Sequence, residues 1–203
     1  MTLVIGLTGS IATGKSTIAK MFREWEIPVI DADYISREVV EVGEKAYKRI
    51  VDHFGKEILN KDDTINRERL GQVVFQDESE RKQLNAIIHP EIRKKMLQQR
   101  DRYIEKDEEV VVLDIPLLFE SDLFHYVEKV LVVYVDPEIQ LQRLMERDES
   151  TEEEAKKRIN AQIPIIKKKE RADAIIDNGG TIKESRQQLK VLLYNWGVKR
   201  NLA

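Results

Sequence analysis

Four residues near the start of the chain stand at a spacing that suits phosphate chemistry. Gly9, Gly14, Lys15 and Ser16 occupy every fixed position of the pattern G-x-x-x-x-G-K-[ST]. In a loop of this kind, backbone N–H groups and the start of the following helix point inward at an anion. The glycines permit positive φ and close approach. Lys15 would reach the β- and γ-phosphates of a nucleotide, and the Ser16 hydroxyl would ligate Mg²⁺. The pattern has meaning only between a strand and a helix. Leu3, Val4 and Ile5 supply a β-prone run before it, and Ile18, Met21, Phe22 and Trp25 repeat at helical spacing after it.

Other groups could complete the chemistry. Asp31 and Asp33 follow a short apolar run, and Asp114 closes the run Val110 to Leu113. An aspartate beside a bound γ-phosphate can accept or orient a substrate hydroxyl proton. Asp33, just past its strand, is the candidate base. Asp31 could face the strand ends or pair with a cation, and both aspartates could instead serve turns and caps. Asp114 resembles a Walker-B aspartate. Arg143 and Arg147, four apart, share one helix face, and Arg158 lies on the next helix. Such a hairpin is what a lid over ATP needs, because guanidinium groups stabilise phosphoryl oxygens and closure excludes water. The bland alternative is a solvated face paired with Glu146, Glu152 and Glu153. His89 could touch a phosphate or act as a cap before Pro90. Lys167 to Lys169 read as a solvated basic run.

The elements that would position these groups alternate in type. Strands are expected at 3–8, 27–30, 110–113, 130–135 and 174–176. Helices are expected at 15–24, 137–147, 151–162 and from 181 onward, the last two opened by the capping boxes Thr151-x-x-Glu154 and Thr181-x-x-Glu184. Residues 34–104 read as almost wholly helical, with a break at His89-Pro90 and a new helix from there to about Ile104. Alternation of this kind predicts an α/β protein with a parallel sheet, and continuous apolar strands predict that both sheet faces are covered. Ligands of such sheets sit beyond the carboxyl ends of the strands, so the loop and the three aspartates are expected to converge. The long insertion is expected to cover a substrate.

Composition narrows the class further. The chain has 203 residues, 41% hydrophobic and 35% charged, with a formal net charge of −3. Nothing global suggests nucleic acid or a membrane partner. With no cysteine there is no disulfide, thiol nucleophile or cysteine zinc site. No secretory signal pattern opens the chain, and a cytoplasmic location is expected. Asn60-Lys-Asp-Asp63 matches the guanine-reading string of GTPases. It lies in a polar loop before the third strand, and Asp114-Ile-Pro-Leu117 has Leu where a switch needs Gly, so the match is set aside.

The residues together resemble the dephospho-CoA kinase family. The resemblance rests on Ile5 to Thr17, Asp31-Ala-Asp33, His89-Pro90, Asp114-Ile-Pro-Leu-Leu-Phe-Glu120, the segment Arg143 to Arg147, and Ala172-Asp-Ala-Ile-Ile-Asp-Asn-Gly179. It implies a P-loop nucleoside-triphosphate hydrolase fold of nucleoside-monophosphate-kinase type: a five-stranded parallel sheet flanked by helices. The core would be 1–33, 105–137 and 166–203, with a helical acceptor-binding insertion at 34–104 and a lid at 138–165. It implies ATP-dependent phosphorylation of the ribose 3′-hydroxyl of dephospho-CoA, with Mg²⁺. Asp33, Lys15 and Arg143 take catalytic roles. Gly9, Ala12, Thr13, Gly14, Lys15, Ser16 and Thr17 hold ATP, with Arg147 from the lid and Asn178 and Gly179 near the adenine. His89 lines the acceptor side with Asp33. The partners are small molecules, and a monomer is expected, a small homo-oligomer being the alternative. Ser10 and Ala12 stand where the family commonly has Gly. A positive φ at either would add strain of about 1 kcal/mol or more. A nucleoside monophosphate kinase is the competing enzyme reading, and an ATP-binding regulator without transfer activity is the competing class.

Overall fold

Leu3–Thr8 is apolar almost throughout, and its last five residues are buried; this is strand β1, at the centre of the sheet. The computed structural model describes residues 2–202. Strands β2 (Val29–Asp31), β3 (Val110–Asp114), β4 (Lys129–Tyr134) and β5 (Ala174–Asp177) complete a five-stranded parallel sheet in the order β2-β3-β1-β4-β5. The register runs Leu3 to Val110 and Leu7 to Asp114 on one side of β1, and Ile5 to Lys129 and Thr8 to Val132 on the other. Parallel strands need crossover connections: α1 (Lys15–Glu24) follows β1, and α6 (Pro137–Asp148), α7 (Glu152–Asn160) and α8 (Ile165–Glu170) lie between β4 and β5, while α9 (Ile182–Asn195) follows β5.

One core layer packs α1 and α9 onto the sheet. Ile18, Phe22 and Trp25 of the α1 segment meet Ile5, Leu7, Val112, Leu131, Val133 and Ile176, with Leu189 and Leu193 from α9. Phe22 is fully buried, which stabilises the fold by roughly 1.5–3 kcal/mol relative to exposure. The helix starts are set locally. Thr151 and Glu154 exchange both bonds of a capping box, as do Thr181 and Glu184, so each pair satisfies two orphan N–H groups.

The chain divides into two compact units, residues 1–30 with 100–203, and residues 31–99. The second holds α2 (Ala32–Glu38), α3 (Lys45–Phe54), α4 (Arg67–Gln76) and most of α5 (Glu78–Glu105), with no strand beyond an isolated bridge between Leu59 and Ile65. Asp31 caps α2 by accepting from Tyr34 N at 3.0 Å. Asp77 caps α5 by accepting from Ser79 N at 2.7 Å and Glu80 N at 3.3 Å. The break expected at His89-Pro90 is absent, and α5 runs through Pro90. A proline there removes the donor for the Ala86 carbonyl and costs about 3 kcal/mol in a free helix. Buried Ile87 and Met96 hold the helix on either side of it, and Glu91 pairs with Lys45 at 3.1 Å. Tertiary packing outweighs the local penalty.

Candidate active site

The phosphate loop leaves β1 and closes on itself before α1 begins. Thr13 N donates to Ser10 O at 3.2 Å, and the Thr13 hydroxyl donates to the same carbonyl at 2.9 Å. Ser10 N donates to Thr13 Oγ1 at 3.3 Å. A side chain on Gly9 would meet Thr13 Oγ1 at 2.6 Å and Val133 O at 3.1 Å, so only glycine lets the loop lie this close to β4. Gly14 has φ of 85° and would place a side chain 2.1 Å from Asn178 Nδ2. Ala12 sits at φ 62°, whereas Ser10 is not among the positive-φ residues. The left-handed region costs a non-glycine residue about 1–2 kcal/mol, so Ala12 stores strain at the tip of the loop.

Lys15 opens α1 and its ammonium forms an ion pair with Asp114 at the end of β3. Only 4% of the Asp114 side chain and 20% of Lys15 is exposed, so water screens the pair poorly. Ser16 and Thr17 follow on the first turn of α1, and Ser16 is exposed. These hard oxygen donors suit Mg²⁺, which takes one or two protein ligands and completes its shell with water and phosphate. No cluster of three or more His, Cys, Asp or Glu side chains that could hold a metal occurs among the described residues.

Asn178 follows β5 and is buried behind the loop. Its Nδ2 donates to Thr13 O at 2.9 Å, its Oδ1 accepts from the Ser185 hydroxyl at 2.8 Å, and its N–H donates to Tyr134 O at 2.8 Å. The Asn178 side chain therefore props the loop from behind. Gly179 N donates to Asp177 Oδ1 at 2.9 Å, in the turn before α9.

The α6–α7 hairpin carries the three arginines. Arg147 Nε donates to Asp148 Oδ1 at 2.8 Å, and Arg158 pairs with the other Asp148 oxygen. The hydrogen bond from Arg147 holds the Asp148 carboxyl below its ordinary range, and Asp148 in turn raises Arg147. The partner is Asp148 and not the glutamates considered from sequence: Glu152 and Glu153 pair with Lys156 and Lys157, and Glu146 accepts from Gln142. Arg143 is half-buried and has no hydrogen-bond or ion-pair partner among the described residues.

Two features escaped sequence reasoning. Lys168 is fully buried, not part of a solvated basic face. Its Nζ donates to Gly9 O at 2.9 Å and pairs with Glu120 at 2.8 Å, and the same Glu120 oxygen accepts from Ile163 N at 3.0 Å. Lys168 lies on α8, a helix the periodicity did not reveal, whose buried residues are Ile165 and Lys168. The second feature is a pair of glutamines at the loop. Gln162 Oε1 accepts from the Ser10 hydroxyl at 2.7 Å and Ile11 N at 2.9 Å. Gln140 Nε2 donates to Ser10 Oγ at 3.0 Å and Ile11 O at 2.8 Å. No local signal marks either glutamine.

In the second unit Asp33 lies in the first turn of α2, exposed, and lines a cavity of about 360 Å³. Arg37 and Arg67 also line it, over a wall that includes Val40, Leu70 and Ile88. His89 is exposed on α5 and is not among the lining residues. Desolvation, then Arg93 one turn on, lowers its pKa.

Comparison with known proteins gives one family over nearly the whole chain. The family model described as dephospho-CoA kinase matches residues 3–184. A dephospho-CoA kinase of Oceanobacillus iheyensis is 56% identical over 98% of this chain and 100% of its own. One of Geobacillus kaustophilus is 56% identical over 97% and 98%. Among solved structures, dephospho-CoA kinase from Campylobacter jejuni superposes with a TM-score of 0.76 at 33% identity, covering 97% of this chain and 99% of that one. Shikimate kinase from Aquifex aeolicus, at 16% identity and a TM-score of 0.51 over 97% and 99% of the two chains, shares the fold alone. The chain belongs to the dephospho-CoA kinase family, the kinases that carry out the final step of coenzyme A synthesis.

Proposed function

We propose that this chain phosphorylates the ribose 3′-hydroxyl of dephospho-CoA at the expense of ATP, with Asp33 as base and Lys15 and Arg143 as the phosphoryl-stabilising cations. The family gives the reaction class, a kinase with ATP as co-substrate. ATP lies at Gly9 to Thr17, its phosphates against the backbone N–H groups of Ala12, Gly14, Lys15 and Ser16 and the Lys15 ammonium. Asn178 and Gly179 border the adenine, and Arg147 joins Arg143 from the lid of residues 138–165. Mg²⁺, when bound, neutralises charge on the phosphate oxygens; Ser16 would hold it directly and Asp114 through water.

Residues 34–104 receive the acceptor. The cavity lined by Asp33, Arg37 and Arg67 supports this assignment, because it sets a carboxylate beside two guanidinium groups that suit phosphate oxygens. His89 is assigned to the acceptor side on the family resemblance, and it lies outside that cavity. Asp33 takes the proton as the hydroxyl oxygen forms its bond to the γ-phosphorus, and the bond to the ADP oxygen breaks. Lys15 and Arg143 stabilise the charge spread over the transferred group, so catalysis is positioning plus electrostatics. We also assign a cytoplasmic location and a monomeric state; among the described residues no helix is long and apolar enough to cross a membrane.

The observation that carries this reading is the Lys15–Asp114 pair at the head of a self-closed phosphate loop. The test is ADP release with dephospho-CoA, AMP, CMP, UMP and adenosine offered separately. Turnover selective for dephospho-CoA, with CoA as product, is expected. Preference for a nucleoside monophosphate overturns the acceptor, and ATP binding without turnover overturns the enzyme reading.

A further inference from the structure

We infer that Gln140 and Gln162 are positioning residues that clamp the tip of the phosphate loop in its anion-binding conformation. The clamp takes up the whole polar complement of one residue. Ile11 gives its N–H to Gln162 Oε1 at 2.9 Å and receives Gln140 Nε2 on its carbonyl at 2.8 Å. The Ser10 hydroxyl closes the ring between the two amides, donating to Gln162 at 2.7 Å and accepting from Gln140 at 3.0 Å. Gln140 is 1% exposed, so its amide has little water to exchange with.

The next residue explains the need. Ala12, at φ 62°, holds a left-handed conformation that an alanine does not choose by itself. Such strain persists only where surrounding bonds over-determine it. Thr13 pins the far side of Ala12 through its two bonds to Ser10 O, and the glutamines pin the near side. Without the clamp the tip can relax Ala12 to negative φ, which turns its N–H away from the direction the loop offers to phosphate. The two amides come from α6 and from the turn between α7 and α8. Both ends of the arginine-bearing hairpin are therefore bonded to the loop tip, and displacement of the hairpin is felt at Ala12.

This inference rests on ATP binding at residues 9–17, and the test separates the two. Steady-state kinetics are compared for the wild type, Gln162→Leu, Ala12→Gly and the double variant. Gln162 is half-buried, so its replacement leaves the fold intact, as a melting curve checks. In Gln162→Leu the KM for ATP is expected to rise about fivefold to tenfold, the loss of one or two hydrogen bonds, with the KM for dephospho-CoA unchanged. Glycine has no left-handed penalty, so in the Ala12→Gly background the same replacement is expected to raise the ATP KM less than twofold. Equal effects in both backgrounds overturn the clamp, as does an unchanged ATP KM in Gln162→Leu. A wild-type protein that does not use ATP overturns the nucleotide reading on which the clamp depends.

Discussion

The Lys15 ammonium and the Asp114 carboxylate form an ion pair that joins the first residue of α1 to the last residue of β3. The two are 99 positions apart in sequence, and the parallel register of β1 with β3 brings them together by setting Leu7 against Asp114. In the proposed mechanism the pair orients Lys15 for nucleotide phosphate, and Asp114 would serve Mg²⁺ through water.

Replacing Asp114 by Asn keeps the shape and removes the charge. We expect kcat to fall by about tenfold to a hundredfold, the usual cost of losing an outer-shell partner of a metal. The Mg²⁺ concentration for half-maximal rate should rise with it. Titration of ADP release against Mg²⁺ checks this; an unshifted midpoint removes Asp114 from the metal's surroundings.

Asp33→Asn tests the base. General-base catalysis contributes about 10²–10⁴-fold, so kcat should drop by about 10²-fold or more while the KM for ATP holds. Asp33 is exposed, so the fold should not suffer. A variant that turns over at the wild-type rate assigns the proton to another acceptor.

Lys168→Met removes a fully buried cation from Gly9 O and Glu120. Breaking one side of a buried pair costs about 3–5 kcal/mol, and for a chain of this size each kcal/mol shifts Tm by about 2–4 °C. A drop of roughly 6 °C or more is expected in a thermal melt. Because the lysine also fixes the Gly9 carbonyl, ATP affinity measured by titration calorimetry should weaken in the protein that remains folded. An unshifted Tm would mean that Glu120 and Gly9 find water in place of the lysine.

His89 gives a pH signature. Desolvation and Arg93 put its folded pKa below the ordinary 6.5. Between the folded value and 6.5 the unfolded chain binds more protons, so stability rises with pH across that window and is lost as pH falls through it. His89→Gln should therefore lose less Tm than the wild type between pH 7.5 and pH 5.5. Identical losses would mean that the imidazole titrates alike in both states.

The boundary between local and global information is clear at particular residues. The loop at Gly9 to Ser16, the five strands and the capping boxes at Thr151 and Thr181 depend on spacing within a few residues, and the chain alone determined them. The family followed from the same short segments read in order. Pro90 was misjudged because the local rule for proline is a rule for free helices, and burial of Ile87 and Met96 overrides it. Lys168 sits in a run of three lysines whose composition says surface, yet its acceptor is Gly9, 159 positions away. The grip of Gln140 and Gln162 on Ser10 and Ile11 spans 129 to 152 positions. A hydrogen bond at that separation leaves no period or motif, because it depends on the sheet setting β1 beside β4 and on α6 and the turn between α7 and α8 reaching the loop. The phosphate loop was thus written in contiguous residues. The bonds that hold the phosphate loop in shape, and that tie it to the arginine hairpin, were decided by tertiary structure.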